Sequence, residues 1–406
     1  MRVLLISAYF PPDTGSASHL IYELGKALRD QGHEVSVLTS LPGYYALGDL
    51  RRYRWRLWLR EEVEGLNVVR VASPRLPRKL VFGRAVWQFG LALTAFVAGL
   101  FMKRHDIAVV YSPPLPLGVT AWAVRRIRGT PFVFNVQDLF PHNLVETGLL
   151  GRGLIFKFFE KMERFVYSTA DWITVHAPGN VDHVVRRGGS EDRVTALPNW
   201  VDTHTILPSG SGDRFKRKHG LTGAYVVSFA GVLGHLQDLD VVLAAAGLTK
   251  DTQEIVWLIV GDGVQKEGLE NKARTLGLEN VRFVPMVPRE VYPEVLYASD
   301  VCLATLKAEV KTPVVPSKML GIMAAGKPLV ACMDPKGDGP ALVSEADCGY
   351  ALQAEDHEAL ADTVRTLYAD RELGKRLGAN GRAYAEAELS LDAAAQRHAT
   401  LFEQIA

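Results

Sequence analysis

The chain repeats one local pattern along most of its length: a short apolar run, a turn, and a stretch in which apolar residues recur at helical spacing. Short apolar runs fit buried strands, and parallel strands need a crossover, usually a helix, between one and the next. The pattern therefore predicts parallel βαβ units and an α/β fold. The predicted strands cover residues 3–7, 35–39, 67–71, 107–111, 132–136, 172–176, 225–229, 255–260, 281–284, 301–306 and 329–332.

A polar segment at residues 209–213 interrupts this alternation, and a chain of 406 residues is long enough for two domains. We predict an N-terminal domain over residues 1–200 and a C-terminal domain over residues 201–385. The last segment, 386–406, carries apolar residues at helical spacing. It is predicted to pack back on the N-terminal domain.

Composition narrows the classes of function. The formal net charge is +1, which argues against a generally basic nucleic-acid-binding protein. The three cysteines, Cys302, Cys332 and Cys348, have no metal-ligand spacing, and an odd number argues against a disulfide framework. A reducing, cytoplasmic compartment fits this pattern.

An apolar segment at residues 80–101 is nearly long enough to cross a bilayer, and only Arg84 and Gln88 interrupt it with strongly polar side chains. Predicted strands lie on both sides of it. If both strands belong to one sheet, the segment must return to the same side of any membrane. Three alternatives remain: a buried or groove-lining crossover helix, a helix in the membrane interface, and a true span, which the topology disfavours.

The segment before it, residues 51–60, interleaves five arginines with three aromatic residues. It could be a solvated excursion, a nucleic-acid contact, or an adhesive surface for anionic lipid headgroups. The neighbouring apolar helix favours the membrane, so residues 51–102 are predicted to face it and no nucleic-acid partner is expected. The predicted lipid contacts are Arg51, Arg52, Arg54, Trp55, Arg56 and Trp58, together with the 80–101 helix.

Three glycine-containing loops each follow a predicted strand and precede a predicted helix. They contain Gly15, the pair Gly231 and Gly234, and the pair Gly261 and Gly263. Glycine lets the backbone approach a ligand, and a helix N-terminus favours an anion. None of the loops is a GxGxxG motif, so a dinucleotide fingerprint is absent.

Several single polar residues are candidates for ligand binding or catalysis. Ser317 is a predicted N-cap, which puts Lys318 in the first turn of a helix, where a cation is unfavourable unless an anion is bound. Lys318 is therefore a predicted diphosphate contact. Asp138 follows a strand and could orient or deprotonate an acceptor hydroxyl, or only brace its loop. His19 could help with that hydroxyl or simply lie on a helix face.

Seven short motifs, taken in this order, resemble GT-B glycosyltransferases of family 4. The resemblance spans nearly the whole chain and is closest to the branch that builds O-antigens and capsules, typified by N-acetyl-L-fucosamine transferases. The motifs lie at Pro11-Pro12-x-x-Gly15, Ser112-Pro113-Pro114, Gln137-Asp138-Leu139-Phe140-Pro141, Leu197-Pro198-Asn199-x-Val201-Asp202, Gly231-x-x-Gly234-x-x-Gln237, Val260-Gly261-Asp262-Gly263 and Val315-Pro316-Ser317-Lys318.

The resemblance implies a GT-B fold, in which two Rossmann-like domains face each other across a cleft. It implies transfer of a sugar, with retention, from a UDP-sugar or similar donor on the second domain to an acceptor on the first. The acceptor would be a polyprenyl-diphosphate-linked or other glycan, at the inner face of the cell membrane. No metal and no cofactor are expected.

Residue by residue, the resemblance and the loop chemistry give one set of site predictions. The catalytic candidates are Asp138, His19 and Lys318. The nucleobase is expected near residues 284–287. The donor-binding candidates are Gly15, Gly231, Gly234, His235, Gln237, Gly261, Asp262, Gly263, Met286, Glu309, Ser317 and Lys318.

The sequence departs from the family pattern at two places. A basic pair in the loop after the first strand of the second domain is replaced by Leu236 and Gln237, and two acids near the Lys318 helix are replaced by Pro313 and Gly321. Glu309 is the candidate substitute for a ribose-binding acid. Three rival functions stay open: a non-hydrolysing sugar-nucleotide epimerase, an NAD(P)-dependent oxidoreductase, which the absent GxGxxG disfavours, and a non-catalytic membrane scaffold.

Overall fold

The computed structural model describes residues 1–43, 46, 50–74, 81–146 and 150–406. The chain forms two compact units. The first contains Met1–Asn199 and Leu391–Ala406, and the second contains Trp200–Ser390. The predicted boundary after residue 200 is therefore one residue late, and the C-terminal segment begins at Leu391 instead of residue 386. The reason is that residues up to Glu388 continue the preceding helix, which belongs to the second unit.

Within the described residues, the first unit contains one eight-stranded sheet with the order β3-β4-β2-β1-β5-β6-β7-β8. Neighbouring strands are parallel except for β3 and β4. The central strands are almost wholly apolar and buried, as expected for a sheet covered on both faces. The strands are β1 (Arg2–Ile6), β2 (Glu34–Ser40), β3 (Trp58–Val63), β4 (Leu66–Val71), β5 (Ile107–Ser112), β6 (Phe132–Val136), β7 (Trp172–Val175) and β8 (Val194–Ala196).

Helices connect these strands and bury one apolar face each. In the first helix, for example, Leu20, Ile21, Leu24 and Leu28 are buried while the charged residues point outward. The helices of residues 1–199 are α1 (Ser16–Asp30), α2 (Val81–Phe101), α3 (Pro116–Arg128), α4 (His142–Glu146), α5 (Leu154–Thr169) and α6 (Val181–Arg186).

The arginine-rich segment 51–60 is mostly exposed and begins with a short 3-10 helix, Arg51–Tyr53. Its last three residues are the start of β3, an edge strand that pairs antiparallel with β4. Glu64 and Gly65 join the two strands with positive φ angles of 46° and 79°, the backbone of a tight hairpin turn. The alternation of exposed and half-buried residues along β3 leaves Trp58 and Arg60 exposed.

The apolar segment 80–101 corresponds to α2, although Leu80 lies outside the described residues. By length and composition, Gly83–Phe101 could cross a membrane. However, α2 connects β4 to β5, and both strands belong to one sheet. A single crossing would place parts of one sheet on opposite sides of a bilayer. The spanning alternative therefore does not fit this fold, and α2 is a crossover helix.

The second unit, all of which is described, contains a six-stranded parallel sheet with the order β11-β10-β9-β12-β13-β14. Its strands are β9 (Tyr225–Ala230), β10 (Ile255–Val260), β11 (Val281–Val284), β12 (Val301–Thr305), β13 (Leu329–Cys332) and β14 (Gly349–Leu352). Its helices are α7 (Asp213–Lys218), α8 (Asp240–Leu248), α9 (Lys266–Thr275), α10 (Tyr292–Tyr297), α11 (Ser317–Ala324), α12 (Asp338–Glu345), α13 (His357–Ala369) and α14 (Arg371–Glu388).

The last helix, α15 (Leu391–Ile405), belongs to the first unit and packs against α1. Its apolar face carries Ala394, Leu401 and Phe402, all of which are buried. The helical spacing of these residues is the feature from which this packing was predicted.

Candidate active site

Two glycine-containing loops lie side by side at the carboxyl edge of the second sheet. One follows β9 and the other follows β10, its neighbour. The Gly231 amide donates to the Val260 carbonyl at 2.9 Å, and the Leu233 amide donates to the Asp262 carbonyl at 2.8 Å. In open α/β sheets this edge is where ligands bind. The main chain of the two loops therefore forms one continuous surface at the expected place.

Two of the predicted glycines are required by how closely the loops approach. A Cβ atom on Gly261 would lie 1.9 Å from the Gly231 carbonyl oxygen, and one on Gly263 would lie 2.3 Å from the Leu233 carbonyl oxygen. Gly234 is different, because a Cβ there would meet no atom closer than 3.7 Å. The close packing of main chain against main chain explains why Gly261 and Gly263 must be glycine. It gives no steric reason for a glycine at position 234.

Lys318 lies directly beside the first of these loops. Its Nζ atom donates to Gln237 Oε1 at 2.9 Å. The same atom lies 3.3 Å from the position of a Cβ on Gly231 and 3.5 Å from the centre of the Phe229 ring. The structure thus brings together Lys318, Gln237 and Gly231, which the sequence had proposed separately as donor contacts.

The start of α11 differs from the prediction in one respect. Ser317 is not the N-cap: it is the first helical residue and is exposed, while Pro316 precedes the helix and offers no side-chain cap. Lys318 still lies in the first turn, as predicted. Gly326 follows the helix with a φ of 66°, which suits the left-handed residue that ends a helix.

The Lys318 ammonium has no counter-ion in the described part of the chain, where no carboxylate forms an ion pair with it. Burial lowers its pKa to about 7, because the protein withdraws water from the charged form. A cation in this environment is poorly compensated and would gain from a bound anion. The site is therefore electrostatically suited to a phosphate group.

This pKa makes donor affinity depend on pH in a defined direction. A diphosphate would gain most from the protonated lysine, so affinity for a UDP-sugar, the donor class that the sequence predicts, should be constant below about pH 7 and fall by up to tenfold per pH unit above it. Isothermal titration calorimetry between about pH 6 and about pH 9 measures this. Lys318→Met should give weak binding that does not follow this curve. Wild-type affinity that stays unchanged above pH 7 would contradict the role of Lys318.

Three other donor candidates lie at the surface of the second unit. His235 is exposed on the loop after β9, and Met286 is 45% exposed just after β11. Asp262 is exposed and forms an ion pair with Lys266, with 3.2 Å between the two charged atoms. That pair gives Asp262 a structural role at the start of α9, whether or not it also meets a ligand.

Gly321, which stands where the family pattern has an acid, lies close to an aromatic ring. A Cβ on Gly321 would lie 3.3 Å from the Tyr292 ring, so a carboxylate side chain there would press against the phenol. Glu309 is exposed on the segment after β12. This segment lies beside the loop after β9, because the Lys307 amide donates to the Leu236 carbonyl at 3.0 Å.

In the first unit, Asp138 lies just after β6, at the carboxyl edge of the sheet. Its side chain reaches solvent, but the surrounding protein partly desolvates it and raises the pKa of its carboxyl above the ordinary value. Its charge, added to burial, also raises the pKa of Tyr111. A carboxyl with a raised pKa is more basic, which suits a group that holds or accepts a proton.

A hydrogen-bonded pair of amides fixes the Asp138 loop. Gln137 and Asn199 bond reciprocally through their side chains, at 2.8 and 3.0 Å, and Gln137 also donates to Asn135 Oδ1 at 2.8 Å. The backbone N–H of Gln137 donates to the Ser112 carbonyl at 3.0 Å. Three sequence motifs thus meet at one edge of the first sheet. These motifs were recognised from the sequence, but no role was predicted for Gln137 or Asn199.

Gly15 and His19 lie in the loop after β1 and the first turn of α1. Because β5 separates β1 from β6 in the sheet, this loop and the Asp138 loop do not follow adjacent strands. Arg70, which the sequence reasoning missed, braces the loop. It is completely buried in β4, forms an ion pair with Glu61 and donates to the Pro11 carbonyl. Its only sequence signal was a charge inside an apolar strand.

Comparison with known proteins gives a consistent result. Residues 15–200 match the family described as a glycosyl transferase 4-like domain, and residues 212–384 match glycosyl transferases group 1. The chain is 24% identical over 399 residues to the glycosyl transferase WcaI of Escherichia coli (strain K12), covering 92% of this chain and 97% of WcaI. It is 27% identical over 265 residues to the glycosyltransferase WbjE of Pseudomonas aeruginosa, covering 64% and 66% of the two chains.

The crystal structure of Anabaena HepE in complex with UDP matches all of this chain and all of its own, with a TM-score of 0.74 at 16% identity. At that identity the match shows a shared fold. The two matched families also follow one another along the sequence as the two α/β units do. The chain therefore belongs to glycosyltransferase family 4, with the GT-B fold of that family, and it is a glycosyltransferase.

Proposed function

We propose that the protein transfers a sugar, with retention, from a UDP-sugar to a polyprenyl-diphosphate-linked glycan during synthesis of a bacterial surface polysaccharide. WcaI, by its name a glycosyl transferase of colanic acid biosynthesis, supports the role in polysaccharide synthesis, and HepE, solved in complex with UDP, supports the donor class. The observation that carries the donor proposal is the half-buried Lys318 ammonium beside the Gly231 loop, without a carboxylate partner in the described chain.

In this proposal the donor diphosphate lies against the two glycine loops and Lys318, and the nucleobase lies near residues 284–287. As the bond between the anomeric carbon and the phosphate oxygen breaks, charge builds up on the leaving diphosphate, and Lys318 and exposed main-chain amides stabilise it. The acceptor hydroxyl attacks the anomeric carbon on the same face, and its proton goes to the departing phosphate oxygen. Asp138 and His19 are proposed to orient that hydroxyl, and no metal is needed.

The epimerase alternative is not favoured, since both matched families are families of glycosyl transferases. An assay with UDP-linked N-acetylated amino sugars and polyprenyl-diphosphate-linked N-acetylhexosamine separates the two functions. We expect UDP release only when donor and acceptor are both present, and a product with the anomeric configuration of the donor. Donor turnover without an acceptor would contradict the transferase proposal, and an inverted product would contradict retention.

We also propose that the protein is peripheral on the inner face of the cell membrane. Its first unit carries an apolar ridge, a set of exposed apolar side chains on α2 and α5, with exposed fractions of 37% to 85%. The rings of Phe89 and Phe158 lie 6.0 Å apart, which joins the two helices into one surface. The ridge consists of Phe89, Leu93, Val97 and Phe101 on α2 and Leu154, Ile155 and Phe158 on α5.

Charge supports a lipid surface as the occupant of this ridge. Lys157, Lys161 and Arg164 are exposed on α5 itself. On the segment before β4, Trp55 is 97% exposed and Trp58 is 57% exposed. Exposed arginines surround these two residues: Arg51, Arg52, Arg54, Arg56 and Arg60. Apolar contact combined with basic side chains is typical of binding to anionic membranes.

Vesicle binding tests the membrane proposal. The double variant Leu93→Asp and Phe158→Asp should reduce binding to phosphatidylglycerol-containing vesicles by at least about tenfold, because two apolar contacts are replaced by charges repelled by the lipid. Leu276→Asp is the matched control, since Leu276 is 47% exposed but lies in the second unit. Co-sedimentation measures the bound fraction. Equal binding by the double variant and the control would overturn the proposal.

A further inference from the structure

Two histidines and a glutamate come together in the first unit, outside the proposed donor and acceptor residues. They are His142 at the start of α4, Glu163 in the middle of α5 and His183 in α6. His183 Nε2 lies 3.2 Å from one carboxylate oxygen of Glu163, and His142 Nε2 lies 3.6 Å from the other. One nitrogen or oxygen from each residue falls within 4.8 Å of those of the other two.

We propose that His142, Glu163 and His183 bind a divalent transition-metal ion, with Zn²⁺ as the best fit. Two imidazoles and one carboxylate form a common protein ligand set for zinc, whereas Ca²⁺ and Mg²⁺ prefer oxygen ligands alone. Zinc ligands lie about 2.1 Å from the ion, so neighbouring donors of a tetrahedral site are about 3.4 Å apart. The two histidine–glutamate separations, 3.2 Å to one Glu163 oxygen and 3.6 Å to the other, lie on either side of that value, and one ligand atom from each residue lies within 4.8 Å of the other two.

Two buried atoms in the cluster also need a partner. The Glu163 side chain is completely buried, yet its Oε2 atom has no hydrogen-bond partner within the described residues. The same is true of His142 Nε2, the atom that faces it. Leaving buried polar atoms unpaired is costly, and a metal ion between them would satisfy both.

The cluster is accessible and held in place. The side chains of His142 and His183 are 20% and 19% exposed, so an ion and a water as fourth ligand can reach them. The Phe156 ring packs edge-on against the His142 imidazole, with 5.2 Å between the ring centres. Arg187 forms an ion pair with Glu160 and, within the described residues, none with Glu163.

A metal here would be structural and not catalytic. His142 directly follows the Gln137–Pro141 motif that carries Asp138, and the Asn143 amide donates to the Leu139 carbonyl at 2.9 Å. An ion bound to α4, α5 and α6 would therefore anchor the end of the Asp138 loop. This inference does not depend on which sugar or acceptor the enzyme uses.

Zinc binding by the full-length protein tests the proposal. After a chelator has removed any bound metal and the protein has been incubated with Zn²⁺, the wild type should retain one Zn²⁺ per chain on desalting, measured by elemental analysis, and Zn²⁺ should raise its Tm. Glu163→Gln and His183→Ala should each bind Zn²⁺ at least about 100-fold more weakly than the wild type. His357→Ala removes an exposed histidine of α13 and should bind like the wild type.

Equal zinc binding by wild type and Glu163→Gln, or no retained zinc in the wild type, would overturn the proposal. If the variants do not fold, X-ray absorption spectroscopy of the wild-type zinc protein decides the matter. The spectrum should show two imidazole ligands and light N or O donors. Sulfur ligands, or a shell without imidazole, would also overturn the proposal.

Discussion

Replacing Lys318 with methionine is expected to lower kcat/KM for the nucleotide-sugar donor by about 10²–10³-fold, the usual effect of removing one group that stabilises developing charge in a transition state. Methionine keeps the apolar stem that packs beside Phe229 but removes the ammonium, which lies 2.9 Å from Gln237 Oε1. The protein should not lose stability. Burial lowers the pKa of Lys318 to about 7, which means that the charge is poorly solvated in the folded state.

The Lys318 prediction thus pairs a large loss of activity with an unchanged or increased free energy of unfolding. Initial-rate kinetics and chemical denaturation measure the two quantities. Lys311→Ala is the matched control, because Lys311 is 64% exposed and pairs with Asp334 at 2.7 Å. It should retain near-normal activity. A Lys318 variant with near-normal turnover, or one whose lost activity follows lost stability, would be inconsistent with its proposed role.

Replacing Gly261 with alanine is expected to reduce the free energy of unfolding by about 3 kcal/mol, at the upper end of the usual range for overpacking. The new Cβ would lie 1.9 Å from the Gly231 carbonyl oxygen, whereas an ordinary carbon–oxygen contact is about 3.3 Å or more. The two loops must move apart by more than an ångström. Affinity for UDP should therefore also fall, by at least about tenfold, since preorganised main-chain amides are displaced.

Gly234→Ala is the control for the Gly261 prediction. It adds the same methyl group to the same pair of loops, but the nearest atom to the new Cβ is 3.7 Å away. Its free energy of unfolding should change by no more than about 0.5 kcal/mol. Chemical denaturation and calorimetric titration with UDP measure the two effects. If Gly261→Ala and Gly234→Ala unfold at the same denaturant concentration, the close approach of the loops does not constrain the protein.

The sequence predicted the buried strands well because continuous apolar runs are sufficient to mark them. It missed three strands at or near sheet edges. β3 has charged residues on its exposed face, β8 has only three residues, and β14 begins with a glycine. In such strands the pairing partner and not the local apolar pattern determines the structure.

In the candidate site, too, some features were predictable from the sequence and others were not. The grouping of Lys318, Gln237 and Gly231 was predictable, because each follows a strand of one parallel sheet and such strands share a carboxyl edge. The pairs Gln137–Asn199 and Arg70–Glu61 were not predictable. Their partners lie on different elements, and only the folded chain brings them together.

The proposed function depends on the binding of the diphosphate of a nucleotide donor to Lys318 and the glycine loops of the second unit. A crystal structure of the full-length protein with UDP tests it most directly. We expect phosphate oxygens within hydrogen-bond distance of Lys318 Nζ and of main-chain amides in the loop after β9. UDP bound elsewhere, with Lys318 still bonded only to Gln237, would contradict it.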